Sequence, residues 1–252
     1  MKFLIVCAGD RSKHYVALNA LRLLSKNKND EIKVCVFDKN KKIIDFCKKK
    51  KISYLIKNLN SFFNSIKKNE YDWLLNIWGN VIHKKKFLNK FKKNLNLHPS
   101  FLPYNRGRDP YYFAVVDQTP IGICIHEMDS TIDGGKYYVR KKILFNFPFK
   151  AEDIFDQSLK LIKNEFLKNW SMIKKNRIKL KKFPEKIRKI NRRKSLIKNN
   201  FIDLDNSKNY KERKFVLNIL GQDFSFLKMQ LKIFCKIYNC KLELKRSKKK
   251  IW

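Results

Sequence analysis

The run FLIVCA, Phe3–Ala8, is the first of several short apolar segments that decide the fold. Similar runs recur at Ile32–Phe37, Tyr54–Ile56 and Trp73–Trp78, and each has the length and composition of a buried strand. Helical patterns lie between these runs, near His14–Leu24, Lys41–Lys49 and Phe62–Lys68. Because strands that alternate with helices form βαβ units, we predict an α/β fold. It is a Rossmann-like, mostly parallel sheet with helices on both faces.

The pattern changes after Pro110. Before it, LNLH at Leu95–His98 is predicted to be the next strand of the sheet. After it, PIGICIHEMD and GKYYVRKKILF have the length of two longer strands, joined by the turn TIDGG. An amphipathic helix is predicted from Glu152 to about Lys174, where it covers the core.

The chain divides into a main domain at residues 1–180 and a smaller part at residues 181–252. The segment Lys174–Lys198 is basic and weakly periodic, which predicts an exposed connection. Beyond it, KFVLNIL and KLELK are typical of strands and FSFLKMQLKIFCKIY of a helix. A tail of about 40 ordered residues is small for an independent core. We therefore expect this small α+β appendage to dock on the main domain or on a second subunit.

The chain is strongly basic, with 59 Lys and Arg against 22 Asp and Glu and a formal net charge of +37. Such a charge suits nucleic acid or an acidic membrane surface. However, the lysine runs at Lys48–Lys51, Lys84–Lys86 and Lys248–Lys250 are scattered along the chain. Since a nucleic-acid footprint needs clustered charge, we favour generalised basicity and expect no nucleic-acid partner.

The six cysteines form no CxxC pair and no spacing typical of metal ligands, so no metal is expected. Several lie in apolar runs, where cysteine acts as a small hydrophobe. The N-terminus lacks the features of a signal peptide, and no apolar run approaches the ~18 residues of a membrane span. We expect a reduced, soluble, cytoplasmic protein.

The stretch NLHPSFLPYNRG, Asn96–Gly107, differs from the lysine-rich pattern around it. Asn96 and His98 are two residues apart, so in a strand they point to the same face. Pro99 and Pro103 end the strand and stiffen the loop beyond its carboxyl end, where open parallel sheets bind ligands. An amide that stabilises an oxyanion beside an imidazole that takes a proton suits acyl transfer. A buried structural pair is the alternative that these two residues alone leave open.

Two motifs resemble the signatures of the formyltransferases that use 10-formyltetrahydrofolate. The first is N-x-H-P-S-x-L-P followed by an aromatic residue and an R-G or P-G pair. It is matched here by Asn96, His98, Pro99, Ser100, Leu102, Pro103, Tyr104, Arg106 and Gly107. The second is a T-x-x-G-x-x-x-H strand that leads to a D-x-G turn. It is matched by Thr119, Gly122, His126 and Asp133, and Asp133 is followed by Gly134 and Gly135. The resemblance covers roughly Met1 to Lys174.

The resemblance implies a catalytic trio of Asn96, His98 and Asp133, with N10-formyltetrahydrofolate as the co-substrate. His98 would take the proton of the attacking amine, and Asn96 would donate to the tetrahedral oxyanion. Asp133 would orient the imidazole and favour its charged form. By itself, Asp133 is equally consistent with a turn residue. His126 lies on an apolar strand and is expected to be a structural histidine.

The resemblance also places the folate. Its pterin ring is expected near two stretches of backbone. The first is Asn80, Val81 and Ile82, and the second is the loop from Asp129 to Ile132. Trp78 is a candidate wall of this site, although a core position explains it equally well.

Three acceptors occur in the family that the chain resembles. Glycinamide ribonucleotide formyltransferases carry a glycine-rich phosphate loop after the first strand, whereas CAGDRSKHYVAL contains only Gly9. Methionyl-tRNA formyltransferases carry a C-terminal RNA-binding barrel, for which the 52 residues after Asn200 are too few. The third acceptor, a nucleotide-linked amino sugar, is the one we expect.

For this sugar N-formyltransferase subgroup, the expected substrate is a dTDP- or GDP-linked amino-dideoxy sugar used in surface polysaccharide, either O-antigen or capsule. Its contacts are predicted at Tyr104, Arg106 and Arg108, with a loop-fixing role as the alternative for Arg106. The resemblance also implies a homodimer formed through the C-terminal tail. A methionyl-tRNA formyltransferase-like enzyme and a folate-dependent deformylase are the other activities considered.

Overall fold

The computed structural model describes residues 1–7, 14–37, 40–79, 81–116, 119–144, 151–186, 190–191, 215–217 and 242–244. Strands and helices alternate through the first hundred residues. They are β1 Lys2–Cys7, α1 His14–Leu24, β2 Glu31–Val36, α2 Lys41–Lys49, β3 Ser53–Leu55, α3 Leu59–Ser65, β4 Trp73–Ile77, α4 Lys85–Leu88 and β5 Lys93–His98. The predicted apolar runs are therefore strands, with ends that shift by a residue or two.

The later elements are β6 Arg106–Gly107, α5 Pro110–Val116, β7 Gly122–His126, β8 Tyr137–Lys142, α6 Ala151–Lys174, β9 Ile190–Asn191, β10 Phe215–Leu217 and β11 Leu242–Leu244. Seven strands form one sheet in the order β3-β2-β1-β4-β5-β7-β8. The strands from β3 to β5 are parallel, and the hairpin of β7 and β8 is antiparallel. The prediction of a mostly parallel α/β sheet is confirmed.

Successive residues of the central strands enter two separate cores. On β1, Phe3 belongs to one core with Trp73 and Trp170, while Leu4 belongs to the other with Phe63. Strand residues point alternately to opposite faces, so both faces of the sheet must be covered. Helices α1, α2 and α6 contribute to the first core, and α3 and α4 to the second.

The predicted exposed connection is exposed at its described lysines from Lys175 to Lys186, but it is fastened to the sheet. Lys181 and Tyr137 exchange two backbone hydrogen bonds of 2.9 Å. Phe183 stacks on Tyr137, with ring centroids 5.2 Å apart. The prediction missed this because isolated apolar residues do not raise the periodicity of a lysine-rich run. Residues 187–189 and 192–198 lie outside the described residues, as does the predicted helix FSFLKMQLKIFCKIY.

The two strands predicted in the C-terminal part are present in part. Phe215–Leu217 and Leu242–Leu244 pair in parallel. Farther upstream, β9 pairs in parallel with β6, so that Ile190 lies opposite Arg106 and Asn191 opposite Gly107. This pairing attaches the chain beyond α6 to the loop that follows β5. The domain boundary near residue 180 stays a prediction.

Removing Glu185 should loosen this attachment. The Nη2 of Arg140 donates to Glu185 Oε1 at 2.6 Å, and the Arg140 side chain is only 8% exposed. In Glu185→Ala a buried guanidinium loses its counter-charge. Since Glu185 is itself 29% exposed, we expect a loss of about 1 to 3 kcal/mol in the free energy of unfolding.

Urea denaturation measures this loss. Glu31→Ala is the matched control, because it breaks the exposed ion pair with Lys2 and should leave the unfolding free energy nearly unchanged. Equal stability of Glu185→Ala and wild type would contradict the proposed fastening.

None of the helices in the described ranges combines the length and the apolarity needed to cross a membrane.

Candidate active site

Three polar side chains lie side by side where neighbouring strands of the sheet end. Asn76 on β4 is in register with Asn96 on β5, and Asn96 is in register with His126 on β7. Paired residues of adjacent strands share a face of the sheet. All three are buried, with exposed fractions of 6%, 7% and 0%. A polar row in such a position needs internal hydrogen bonds.

Asn96 is the centre of that row. Its Oδ1 accepts from Asn76 Nδ2 at 3.0 Å. Its Nδ2 donates to His126 Nε2 at 3.1 Å and to Asp133 Oδ1 at 3.3 Å. The amide therefore directs both of its hydrogens towards the site, which is the orientation that an oxyanion donor needs.

His98 lies on the same face, beyond Asn96, and is 6% exposed. Its Nδ1 is 3.5 Å from Asp133 Oδ1, and its Nε2 is 3.5 Å from the carbonyl oxygen of Asn105. With an oxygen near each ring nitrogen, the site can accommodate the imidazolium that forms after His98 takes up a proton.

The loop after β5 is held by its own side chains. Ser100 Oγ donates to the carbonyl of Tyr104 at 3.0 Å. The side chains of Asn105 and Thr119 exchange two hydrogen bonds, of 2.7 and 3.0 Å. These bonds fix the Asn105 carbonyl that faces His98. The role of Asn105 was not predicted, because its partner Thr119 is remote in sequence.

Asp133 joins the elements of the site. Its backbone has a φ of 47°, in the left-handed region that non-glycine residues seldom adopt. Its Oδ2 accepts from the backbone N–H of Gly107 at 2.7 Å, while Oδ1 faces Asn96 and His98. The predicted trio is therefore together in space, and the Asp133 carboxylate contacts the site as well as belonging to a turn.

His126 is satisfied internally, as expected, but it also contacts the site. Its Nδ1 lies 2.8 Å from the carbonyl oxygen of Glu127 and 2.9 Å from that of Gly134. Burial lowers the pKa of His126 and so favours the neutral ring. Because the two carbonyls can only accept, the proton of the neutral ring lies on Nδ1. Its Nε2 is then the acceptor for Asn96. The strand pattern indicated that His126 is buried, but not that it is paired with Asn96.

The residues predicted around the pterin border the same end of the sheet. Trp78 has a φ of 63° and packs partly buried against the core, and Val81 is half-buried. Ile82 is 72% exposed, a large apolar side chain open to solvent. Asn80 lies outside the described residues. Folate binding by these residues stays a prediction.

The second predicted pterin loop is ordered by its first residue. Asp129 Oδ1 accepts from the backbone N–H of Thr131 at 2.7 Å and from its Oγ1 at 2.6 Å. Ile132, at the end of the loop, is half-buried. These two hydrogen bonds fix the conformation of the loop in the ligand-free protein. Its contact with folate is likewise still a prediction.

The residues predicted to contact the sugar differ in exposure. Arg106 is 5% exposed, and its Nε donates to the carbonyl of Ile132 at 2.8 Å, with Nη2 on the same oxygen. Arg106 therefore fixes one loop to another, which was the alternative considered for it. Tyr104 is half-buried and Arg108 is exposed. Their substrate contacts remain predictions.

His83 provides a test of the loop after β4. Its ring stacks on Phe87, with centroids 5.0 Å apart, and its Nε2 is buried without a hydrogen-bond partner among the described residues. Burial lowers the pKa of His83 to about 4. In the unfolded chain, the pKa of a histidine is about 6.5. As the pH falls through this window, the unfolded state gains a proton that the folded state does not.

The wild type should therefore lose about 2 to 3 kcal/mol of unfolding free energy through His83 between about pH 7 and pH 4.5. At about pH 7.5 and above, both states are essentially neutral at this residue, so it adds no pH dependence there. His83→Phe keeps a ring beside Phe87 but cannot take up a proton. Its loss of unfolding free energy over the same pH range should be smaller by about 2 to 3 kcal/mol. Urea titrations at the two pH values measure the difference. Identical pH dependence in both proteins would contradict the burial of a neutral His83.

Among the described residues, no group of three or more His, Cys, Asp or Glu side chains is arranged to hold a metal ion. The polar groups of the site are the Asn96 amide, which donates to the Asp133 carboxylate, and the His98 imidazole, whose Nδ1 lies 3.5 Å from the same carboxylate.

Comparison with known proteins supplies the family. The family model described as formyl transferase matches residues 16–167. The chain belongs to the formyl transferase family. The matched segment contains all of β4, β5, β7 and the turn with Asp133, and thus the whole of the polar row and the trio.

Two curated relatives of the chain match over parts of their length. A dTDP-4-amino-4,6-dideoxyglucose formyltransferase of Mycobacterium tuberculosis is 40% identical over 48 residues, 19% of this chain and 20% of that protein. A methionyl-tRNA formyltransferase of Borreliella afzelii is 32% identical over 160 residues, 60% of this chain and 46% of that protein. In each case the matched segment spans less than half of the relative.

One solved structure illustrates the likeness of fold. The N-formyltransferase from Helicobacter canadensis, in complex with folinic acid and dTDP-3-aminofucose, superposes with a TM-score of 0.66 at 18% identity. The match covers 84% of this chain and 76% of that one. It shows that the chain shares the fold of that protein.

Proposed function

We propose that this formyl transferase moves a formyl group from N10-formyltetrahydrofolate to the amine of a nucleotide-linked amino-dideoxy sugar, with dTDP or GDP as the nucleotide. One observation carries the proposal. Asn96, His98 and Asp133 meet at the carboxyl end of β5, where an amide donor and an imidazole lie beside one carboxylate. Transfer of an acyl group to an amine requires such groups: a donor for the oxyanion, a base for the proton and a carboxylate that orients the base.

The co-substrate supplies a formyl carbonyl on nitrogen, which the sugar amine attacks. His98 accepts the proton that the amine loses as its bond to carbon forms. Asp133 holds Nδ1 of His98 and stabilises the charge that the ring acquires. When the tetrahedral intermediate collapses, the bond between the formyl carbon and N10 of the folate breaks, and His98 returns its proton to N10, which releases tetrahydrofolate. Before that step the intermediate carries a negative charge on the carbonyl oxygen, which needs a donor.

Asn96 is that donor. Both of its amide hydrogens are engaged in the free protein, one with His126 and one with Asp133. The contact with Asp133 is the longer of the two, at 3.3 Å against 3.1 Å. We propose that the oxyanion takes over this hydrogen, which leaves the bond to His126 to hold the amide in place.

The sugar acceptor is supported by several findings. The Mycobacterium tuberculosis relative is named for a dTDP-linked amino sugar, and the Helicobacter canadensis structure contains dTDP-3-aminofucose with folinic acid. In this chain Arg108 is exposed two residues after the buried Arg106, which leaves its guanidinium available for a diphosphate. A homodimer and a reducing, cytoplasmic setting belong to the same proposal. The latter is supported by four buried cysteines, Cys7, Cys35, Cys47 and Cys124, which are not joined to one another by disulfides.

Methionyl-tRNA is the second candidate acceptor. The match to the Borreliella afzelii enzyme extends over 160 residues, and the net charge of +37 suits a polyanion. The two candidates use the same trio and differ only in the acceptor.

Incubation with both kinds of acceptor separates them. The purified protein receives N10-formyltetrahydrofolate with dTDP- and GDP-linked 3-amino and 4-amino sugars, or with methionyl-tRNA, and mass spectrometry detects added formyl groups. We expect a formylated sugar with wild type and none with Asn96→Ala. Formylation of methionyl-tRNA alone would show that tRNA, and not the sugar, is the acceptor. Formate released without an acceptor would indicate a deformylase.

A further inference from the structure

Asn76 is a buried polar residue that the proposed chemistry does not use. It lies in the strand WLLNI, whose four remaining side chains are all apolar, and it is 6% exposed. An amide in such a place costs free energy unless it is hydrogen-bonded. Its Nδ2 donates to Asn96 Oδ1 at 3.0 Å, so its described partner is the amide that we assign to the oxyanion.

The hydrogen bonds of the row all run in one direction. Asn76 donates to Asn96, Asn96 donates to His126, and His126 donates through Nδ1 to the carbonyls of Glu127 and Gly134. The direction is set at the far end, because two carbonyls can only accept and thus require the proton on Nδ1. Nε2 of His126 must then accept, which requires the Nδ2 of Asn96 to face it.

Reversing the amide of Asn96 would be unfavourable at each contact. Its Oδ1 would face the Asp133 carboxylate and the lone pair of His126, and its Nδ2 would face the Nδ2 of Asn76. A donor from β4 and an acceptor from β7 thus hold the amide from both sides. An oxyanion that takes the hydrogen now shared with Asp133 leaves these two restraints intact.

The position of Asn76 is itself shaped by a glycine. A Cβ added to Gly79 would lie 2.2 Å from Asn76 Oδ1 and 2.7 Å from Val6 Cγ1. The chain that follows β4 therefore passes so close to Asn76 that only glycine fits. This close approach confines the side chain of Asn76 against its neighbour on β5.

We infer that Asn76 is a positioning residue for formyl transfer, which holds the Asn96 amide so that the hydrogen now shared with Asp133 is available to the oxyanion. The inference rests on the proposed function for its effect on the rate. The orientation of the amide is a separate property that can be measured in the free protein.

Asn76→Leu tests the inference, since leucine has a similar size and cannot donate. We expect kcat to fall by on the order of 10²-fold, with the KM of both substrates nearly unchanged, because only the transition state uses the misplaced hydrogen. Val6→Ala is the matched control. Val6 is fully buried and in register with Asn76 on the other side, but it offers no side-chain hydrogen bond. This control should melt at a lower temperature and keep its kcat.

The side-chain amide of Asn96 supplies the second measurement. Its ¹⁵N-correlated proton signals are assigned by their loss in Asn96→Ala. In wild type both protons are hydrogen-bonded and buried, so they should exchange slowly with solvent. Asn76→Leu should shift these signals and speed their exchange by on the order of tenfold or more.

Asn76→Asp is the variant to use if the leucine variant does not fold. Its carboxylate cannot donate to Asn96 Oδ1, whereas its protonated form can. We expect its kcat relative to wild type to rise as the pH is lowered, a recovery that a merely structural role of Asn76 would not produce.

The outcomes separate the two proposals. If wild type formylates no acceptor, the proposed function fails, and the exchange of the Asn96 amide still decides whether Asn76 orients it. If wild type is active, the inference requires both the loss of kcat and the change in the Asn96 signals. Normal kcat in a folded Asn76→Leu variant, or unchanged Asn96 signals, would overturn it.

Discussion

Replacing His98 by alanine should lower kcat for formyl transfer by on the order of 10³-fold, within the range of 10² to 10⁴ that a general base contributes. The reason is geometric. His98 is the imidazole beside Asp133, and the other described site histidine, His126, is neutral and holds its only proton against two backbone carbonyls. The unprotonated nitrogen of His126, Nε2, already accepts a hydrogen bond from Asn96, so His126 cannot take over as the base.

The test compares the initial rates of wild type and His98→Ala at saturating substrate. Wild type should be faster by on the order of 10³-fold. The KM for the folate should stay within a few-fold of wild type, since the imidazole acts on the amine. A variant that keeps more than about a tenth of wild-type kcat would remove His98 from the chemistry.

Asp133→Asn should have the second-largest effect, a loss of kcat on the order of 10² to 10⁴-fold, as expected when a carboxylate that orients a catalytic histidine becomes an amide. Both carboxylate oxygens accept from N–H groups: Oδ2 from Gly107, and Oδ1 from Asn96. An amide nitrogen at either position would face a donor. The substitution therefore disturbs the site in both orientations, in addition to removing the charge beside His98.

Asp45→Asn is the matched control for that experiment. Asp45 is exposed on α2, so the same change of one atom and one charge should leave kcat unaltered. Circular dichroism should show that Asp133→Asn is folded. Full activity of a folded Asp133→Asn variant would mean that the carboxylate belongs only to its turn.

Much of the fold follows from local patterns. The apolar runs that predicted strands are strands β1 to β4, because a strand buried on both faces leaves a continuous apolar signal. Asn96 and His98 share a face because the period of a strand is two, which needs no tertiary information. The short helix α5 was not predicted, since PYYFAVV is as apolar as a strand and too short to show a helical period.

The rest of the site depends on which strands are neighbours. Asn76, Asn96 and His126 are each separated by 20 or more residues, and only the register of β4, β5 and β7 brings them into one row. Nothing in WLLNI or GICIH indicates that pairing. For the same reason, the contact of Arg106 with the carbonyl of Ile132 could be proposed only as a general loop-fixing role.

Transfer of a formyl group to an amine by Asn96, His98 and Asp133 is the reaction on which the other predictions depend. Its most direct test is a single-turnover reaction with N10-formyltetrahydrofolate labelled with ¹³C in the formyl carbon, followed by NMR. With wild type and the matching amino sugar, the label should move into a formamide on the sugar. With His98→Ala it should move on the order of 10³-fold more slowly. Label that appears as formate, or that reaches the sugar equally fast in His98→Ala, would contradict formyl transfer by these three residues.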